Sequence, residues 1–446
     1  MTEPKNAPPE GPRDLASRSS PRAVWALVMV ETIAFLGTEI ARFGVSVYIY
    51  QATKSVYAFE ALLLANTVPG LLISPLAGAI VDRTPRKRVM IGAAFVSLIG
   101  TLIVLGGAAV DKLSLLPIVL GAMLASVGEA FQWPALSASV PLMCTEEELP
   151  RFNGYLESGR AASMLAGPVI GGFLFAFLKL PGLLAVEVCT FLVATTVVAT
   201  LTIPQPEKLD PEEPQASILS DSLFGVRWIW RHKPLLKFLC VAVFANFFLS
   251  IGIVLMPPYG LSVLSEQSYG IAYGLFGGGM IVGGIAYGYL SSRFRNVQIF
   301  LWTALVTGII YTGYGFSRGV YSLAALNFMV AALMTSGDAG ILTIWQLRVP
   351  EEYQGRVLSA VRMIAYSAGP VSYLCAGPIA DTLAPRLFAG TGGFATFLAR
   401  TWGTEKTGQV GFIFTTVGII LFIGFALALT SKDVRGVEDV PEGEAK

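Results

Sequence analysis

Glu31, Phe35, Glu39 and Arg42 follow one another at intervals of four, four and three residues in VWALVMVETIAFLGTEIARFGVSVYIY, a run with no other charge. That spacing places all four on one face of an α-helix, with Glu39 and Arg42 close enough to pair. Glu31 has no base within two turns. An ionised carboxyl is costly in apolar surroundings, so Glu31 must either find a distant polar partner or take up a proton. An acid that alternates between those two conditions can carry a proton. Glu129, in ASVGEAFQWPA beside Gln132 and Trp133, and Asp338, in TSGDAG, are further acids set in apolar runs. Glu157 and Glu187 read better as fixed ion pairs or interfacial groups, and Glu39 is compatible with either use.

The elements that carry these residues must lie in lipid. Of 446 residues, 54% are hydrophobic and 14% charged, with mean hydropathy +0.65; a soluble domain carries roughly a quarter charged residues. A membrane helix needs about 20 mainly apolar residues. Twelve segments meet this, near 23–50, 57–80, 89–110, 114–140, 154–178, 182–203, 236–258, 268–290, 298–316, 319–345, 358–380 and 409–430. None alternates polar and apolar residues as a barrel strand would. With both termini on the cytoplasmic side, 21 of the 31 Lys and Arg fall inside, seven outside and three within spans, as the positive-inside rule requires. The predicted architecture is an all-α membrane protein of two six-helix bundles. A disordered cytoplasmic tail (1–22) precedes the N-terminal bundle (23–203). A cytoplasmic linker (204–235) leads to the C-terminal bundle (236–430) and a cytoplasmic tail (431–446). In the linker, Leu219, Leu223, Val226 and Trp230 form a stripe suited to a helix lying on the membrane surface.

The bundles repeat one another. RAASMLAGPV (Arg160–Val169) and RMIAYSAGPV (Arg362–Val371) share an Arg and, seven residues on, AGPV. Such repeats are the mark of proteins that rock one half against the other about a midplane site. Glu157, Arg160 and Arg362 lie about a turn inside their spans, where they suit pairs at a cytoplasmic gate. Several classes of chemistry are disfavoured. Cys144, Cys189, Cys240 and Cys375 are far apart and read as buried thiols, and His232 stands alone, so no metal set is encoded. The basic residues are scattered in short loops, against nucleic-acid binding. No nucleophile–base arrangement or phosphate loop argues for an enzyme, and no cofactor motif is present.

The densest charge lies between the second and third expected spans, in GAIVDRTPRKRV (Gly78–Val89). It resembles the signature of the major facilitator superfamily, G-x-x-x-D-R-x-x-R-[RK], at Gly78, Asp82, Arg83, Arg86 and Lys87. SMLAGPVIGG is similar to the antiporter motif of that superfamily's fifth span, at Gly167, Pro168, Gly171 and Gly172. RFGVSVYIYQATKS, the approach to RHKPLLKFL and the tail VRGVEDVPE look like the drug/proton antiporter branch of macrolide-efflux and siderophore-export proteins. The resemblance covers nearly the whole chain. It implies a multi-pass protein of the bacterial inner membrane, acting as a monomer among lipids, that exports a drug-like, macrolide-like or siderophore-like small molecule in exchange for protons. An uptake permease or a lipid flippase on the same fold remains an alternative. Two departures stand out. The fourth span lacks the usual Arg, its one charge being Glu129. In the echo of the charged turn, GYLSSRFRN, Ser292 replaces the acid.

The resemblance assigns Asp82 a contact with the positive N-terminus of span 11 in the other bundle, holding the cytoplasmic side shut. Asp82→Asn removes a charge of a kind worth about 0.3–1 kcal/mol at a helix terminus. It should leave the protein folded and inserted, shift the population several-fold toward cytoplasm-open conformers and impair transport. Cysteine labelling from the cytoplasmic side reads the shift; unchanged labelling with normal transport would remove Asp82 from the gate.

Overall fold

The computed structural model describes residues 21–109, 113–144, 148–204, 218–350, 354–390 and 392–439. Residues 1–20 of the expected N-terminal tail lie outside them; Gly78 falls within a described helix, but its surroundings and the side chains of Asp82 and Arg83 are not among those described. Every regular element among the described residues is helical. The first bundle contains α1 (Pro21–Thr53), α2 (Val56–Arg83), α3 (Arg86–Ala109), α4 (Leu115–Met143) and α5 (Leu149–Thr200). The short α6 (Ile218–Arg231) leads into α7 (Lys233–Val263), α8 (Glu266–Leu290), α9 (Asn296–Tyr314), α10 (Val320–Arg348) and α11 (Gln354–Gly377). A π-helical turn (Pro378–Leu383), α12 (Ala384–Phe388), α13 (Gly393–Trp402), α14 (Lys406–Thr430) and α15 (Lys432–Arg435) complete the chain.

Ten of these helices are long and apolar enough to cross a membrane. Two expected spans are covered by one of them: α5 has 52 residues and breaks at Lys179, whose backbone (φ 51°, ψ −169°) leaves the helical region just before Pro181. The segment expected at 358–380 forms α11, which is more polar than the ten.

Close backbone approaches hold the bundles together. In lipid the hydrophobic effect does not drive helices together, so small residues that let backbones touch take its place. Small residues four apart on α5 (Gly159, Ser163, Gly167) pack against α1. Cβ atoms built on Gly159 and Gly167 would come within 2.2 Å of Thr32 Oγ1 and 2.4 Å of Glu39 Cβ. Ser163 donates its hydroxyl to the Thr32 carbonyl at 3.2 Å. A second face of α5 meets α8 of the other bundle: a Cβ on Gly270 would lie 2.3 Å from the Pro168 carbonyl, and one on Gly277 2.6 Å from the Leu165 nitrogen. One helix thus forms both the spine of the first bundle and half of the seam between bundles.

The linker forms the expected helix, α6. Trp228 and Ile229 are buried and Trp230 is 66% exposed, and α6 packs against α11. Leu219 and Leu223 are outside the described side chains. Cys144 is buried, as expected of the thiols, but Cys189 and Cys240 are exposed on helix faces. The beginning of the C-terminal tail is folded. Val434 and Val437 are buried. Glu438 accepts from the backbone N–H of Asn296 at 3.1 Å and from Arg295 Nε at 3.2 Å, capping α9.

The packing makes a contrast on one helix. A Cβ on Gly279 would lie 2.2 Å from the Phe328 carbonyl, whereas one on Gly284 would meet nothing within 4 Å. Gly279→Ala should cost about 1–3 kcal/mol, as overpacking does. Gly284→Ala should cost nothing and can gain up to about 1 kcal/mol from helix propensity. Thermal denaturation in detergent separates the two; equal losses would show that the close approach carries no energy.

Candidate functional site

The first bundle holds a chain of acids around one cation. On α1, Arg42 Nη1 donates to Glu39 Oε1 at 2.9 Å, the local pair expected from spacing. Its Nη2 reaches across to Glu129 Oε1 of α4 at 2.7 Å. Glu129 therefore shares a base rather than standing alone. The side chains of Arg42 and Glu129 are 44% and 54% exposed and that of Glu39 19%, so the cluster faces open space. Tyr273 of α8, in the other bundle, is within electrostatic reach of Glu39 and Arg42. With Arg42 committed twice, the deeper acids have neutral partners.

Glu31 is 3% exposed. Both its oxygens accept from Gln132 Nε2, at 3.0 and 3.2 Å, and no cation pairs with it among the described residues. Gln132 Oε1 is buried and makes no hydrogen bond among the described residues. Glu187, on the second limb of α5, is 8% exposed and accepts from Thr101 Oγ1 at 3.1 Å. The sequence points to an interfacial or paired role for this residue; the fold buries it because its helix face turns toward α1 and α3.

Two adjoining cavities run between these groups. Glu31, Phe35, Gln132 and Glu187 line one, Arg42, Thr101 and Glu187 the other, and they meet at Thr38, Ala125 and Glu129. Each is about 80 Å³. At roughly 10–15 Å³ per water, each has room for a handful of waters; a drug-sized ligand needs roughly 300–1,000 Å³. Water and protons fit these cavities, and a large organic molecule does not.

Rings border the same region. The Arg160 guanidinium sits 4.3 Å from the Trp133 ring and 5.4 Å from that of Phe35. A cation over aromatic faces gains about 0.5–2 kcal/mol, so Arg160 is held here by its rings. Glu157 and Arg362, expected with it at a gate, are exposed on α5 and α11. In the second bundle Asp338 lines a cavity with Asn246, Thr303 and Thr307. Tyr366 of α11 lies within electrostatic reach of Asp338 and Arg362. Both bundles thus place an acid-lined cavity among equivalent helices: α1, α3, α4 and the second limb of α5 in one, α7, α9, α10 and α14 in the other.

In the charged turn, Arg86 donates to the Ala138 carbonyl of α4, and Lys87 Nζ to the Leu201 carbonyl just past α5 at 3.0 Å. The Lys87 cation thus sits at the C-terminus of α5, where the helix dipole favours positive charge. Whether Asp82 and Arg83 meet the other bundle lies outside the described side chains. Among the described residues no cluster of three or more His, Cys, Asp or Glu could hold a metal ion. Glu60, in the apolar run of α2, went unremarked in the sequence; it is 9% exposed and accepts from the Gly377 N–H at 3.2 Å. Its partner is 317 residues away, so no local spacing signals it.

Comparison with known proteins agrees with this architecture. The chain is 24% identical over 374 residues to macrolide efflux protein A of Streptococcus pyogenes, an alignment covering 81% of this chain and 89% of that one. It is 25% identical over 345 residues to the multidrug efflux pump Tap of Mycolicibacterium fortuitum, covering 75% and 82%. Among solved structures, the nucleoside transporter NupG aligns at TM-score 0.69 and 12% identity, over 92% of this chain and all of that one. A bacterial homologue of the iron transporter ferroportin, in an inward-facing state, aligns at TM-score 0.67 and 18% identity, over 93% and all. At these identities the structural likeness shows the fold alone. The chain is a transporter and not an enzyme, and a multi-pass bacterial membrane protein. With the family model matching residues 27–373, the chain belongs to the Major Facilitator Superfamily.

Proposed function

We propose that this transporter exports an amphiphilic small molecule in exchange for protons, by alternating access, with Glu31 as the proton carrier. The protein crosses the membrane twelve times with both termini and the linker in the cytoplasm, and works as a monomer. The observation that carries the reading is the placement of Glu31: a carboxyl 3% exposed, held by one amide, at the edge of a cavity sized for water. Its charge is not neutralised in place, so it is disfavoured when the cavity is dry and tolerated when it is wet. Gln132 suits both conditions. Its amide nitrogen donates to the ionised carboxylate; turned over, its free oxygen accepts from the protonated acid.

The substrate class follows from size and charge. The two small cavities leave the larger molecule to the space between bundles, to which we assign Glu39, Arg42, Glu129, Trp133 and Asp338. Acids outnumber bases there, which favours cationic or amphiphilic compounds over anions. The relatives are named for macrolide and multidrug efflux, and that supports export over the two alternatives on the same fold, uptake and lipid flipping.

Glu31→Gln keeps the shape and hydrogen bonding of the side chain but cannot titrate. Proteoliposomes carrying it should bind and exchange substrate yet fail to concentrate it under a pH gradient. A proton moving down 100 mV supplies about 2.3 kcal/mol, enough for roughly fiftyfold accumulation of a neutral substrate, and this is the factor expected to vanish. Uphill transport at the wild-type level would make Glu31 structural and pass the role to Glu129 or Asp338. Inside-out vesicles with an imposed gradient separate export from uptake by direction.

A further inference from the structure

Away from the linker, at the opposite end of the molecule, two carboxylates tie the bundles together. Asp381 belongs to the π-helical turn that extends α11 (Pro378–Leu383). Its Oδ2 accepts from the backbone N–H groups of Val56 at 2.8 Å and Tyr57 at 3.2 Å, and from the Ser55 hydroxyl at 3.0 Å. Val56 and Tyr57 open α2, and the side chain of Ser55, at the N-cap position, makes no capping bond of its own. A residue of the other bundle therefore does the work of the N-cap. Backbone donors at a helix start are otherwise unsatisfied, and the helix dipole favours an anion there.

The contact is reciprocal. Glu60, one turn into α2, accepts from the Gly377 N–H, where α11 passes into the π turn. A π turn leaves the usual α-helical ladder, and such turns recur at functional sites. Tyr57 Oη and Thr382 Oγ1 are 3.0 Å apart beside it. Each of the two helices thus offers a carboxylate to the other's backbone.

The arrangement is also built to release. Asp381 Oδ1 faces Lys406 Nζ at 2.8 Å, and Lys406 starts α14, in the bundle that carries Asp381. Lys406 Nζ also donates to the Lys54 carbonyl just past α1; when the bundles part that bond breaks with the others, the ion pair stays with its own half and α2 loses its cap to water. A charge stranded without a partner would make separation expensive; Lys406 prevents that.

We infer that Asp381 is a gate residue of the transport cycle: its bonds to the start of α2, with those of Glu60 to α11, hold this end shut, and their release opens it. The same two helices carry the expected Asp82 contact at their other ends, with the roles of donor helix and acid exchanged.

Spin labels at Leu116→Cys on α4 and Phe394→Cys on α13, both exposed, in a background lacking the four native cysteines, report the separation by electron–electron distance measurement. The wild type should show mainly the short distance. Asp381→Asn removes charge-assisted hydrogen bonds and should raise the long-distance population about tenfold. Glu60→Gln and Ser55→Ala should move it the same way by less. Asp82→Asn should not lengthen the distance; lengthening in that variant as well would indicate general loosening and overturn the assignment. Unchanged distances in monodisperse Asp381→Asn would also overturn it. If Asp381→Asn does not fold, Glu60→Gln and Ser55→Ala decide alone, since both keep the Asp381 charge: a shift supports the gate and no shift overturns it.

Discussion

One cation shared between two carboxylates organises the first bundle. Arg42 reaches Glu39 on its own helix and Glu129 on α4. All three side chains are partly exposed, so the network's net stabilisation is modest once solvent screening is allowed for. Its consequence is in the counting. Once Arg42 is engaged, Glu31 and Glu187 are left with an amide and a hydroxyl as their hydrogen-bond partners. Buried acids that lack a committed base can change protonation during a cycle, whereas a committed pair cannot do so without breaking. The shortage of base, rather than the mere presence of acid, is what supports the proposed proton exchange.

Glycine packing determines where those acids stand. Gly167 leaves room for Glu39 where a larger residue would push α1 away from α5. A few residues along, Pro168 and Leu165 present their backbones to Gly270 and Gly277 of α8. Helix α5 therefore touches the acid-bearing helix on one face and the opposite bundle on another. A shift of α8 along this seam meets backbone rather than flexible side chains. Backbone contact resists gradual deformation and favours two discrete arrangements, as alternating access requires.

How far the sequence could be read depended on the range of each interaction. Helices and the Glu39–Arg42 pair follow from apolar runs and spacings of three or four residues, and both were legible. The placement of Glu31 was half legible: its lack of a local base is a sequence fact, but its partner Gln132 is 101 residues away. Glu129 read as solitary because Arg42 is 87 residues distant. Arg160 suggested an ion pair because charge is visible in a sequence and the ring faces of Trp133 and Phe35, brought in from α4 and α1, are not. The linker helix was legible as an element with an apolar side, but its contact with α11 was not. An amphipathic pattern shows that a helix has an apolar side, but the partner it meets, here α11, decides which residues that side buries.

The bundles share a helix plan and differ in how their turns use charge. In the echo of the charged turn, Ser292 stands where the first copy has Asp82, yet α9 still begins against a carboxylate. Glu438 of the C-terminal segment bonds Asn296 and Arg295 from within the same bundle. That turn is satisfied locally and has no acid of its own to offer across the divide. At the linker end the family resemblance gives that part to Asp82, whose side chain is not among those described. At the far end the second bundle supplies one instead, Asp381, to α2. With the proposed Asp82 contact, each bundle contributes one carboxylate at one end of the α2–α11 pair. Opening either end breaks contacts of the kind that closing the other can form, so neither state need lie far below the other. A transporter needs that balance, because a cycle stalls in whichever state is too stable.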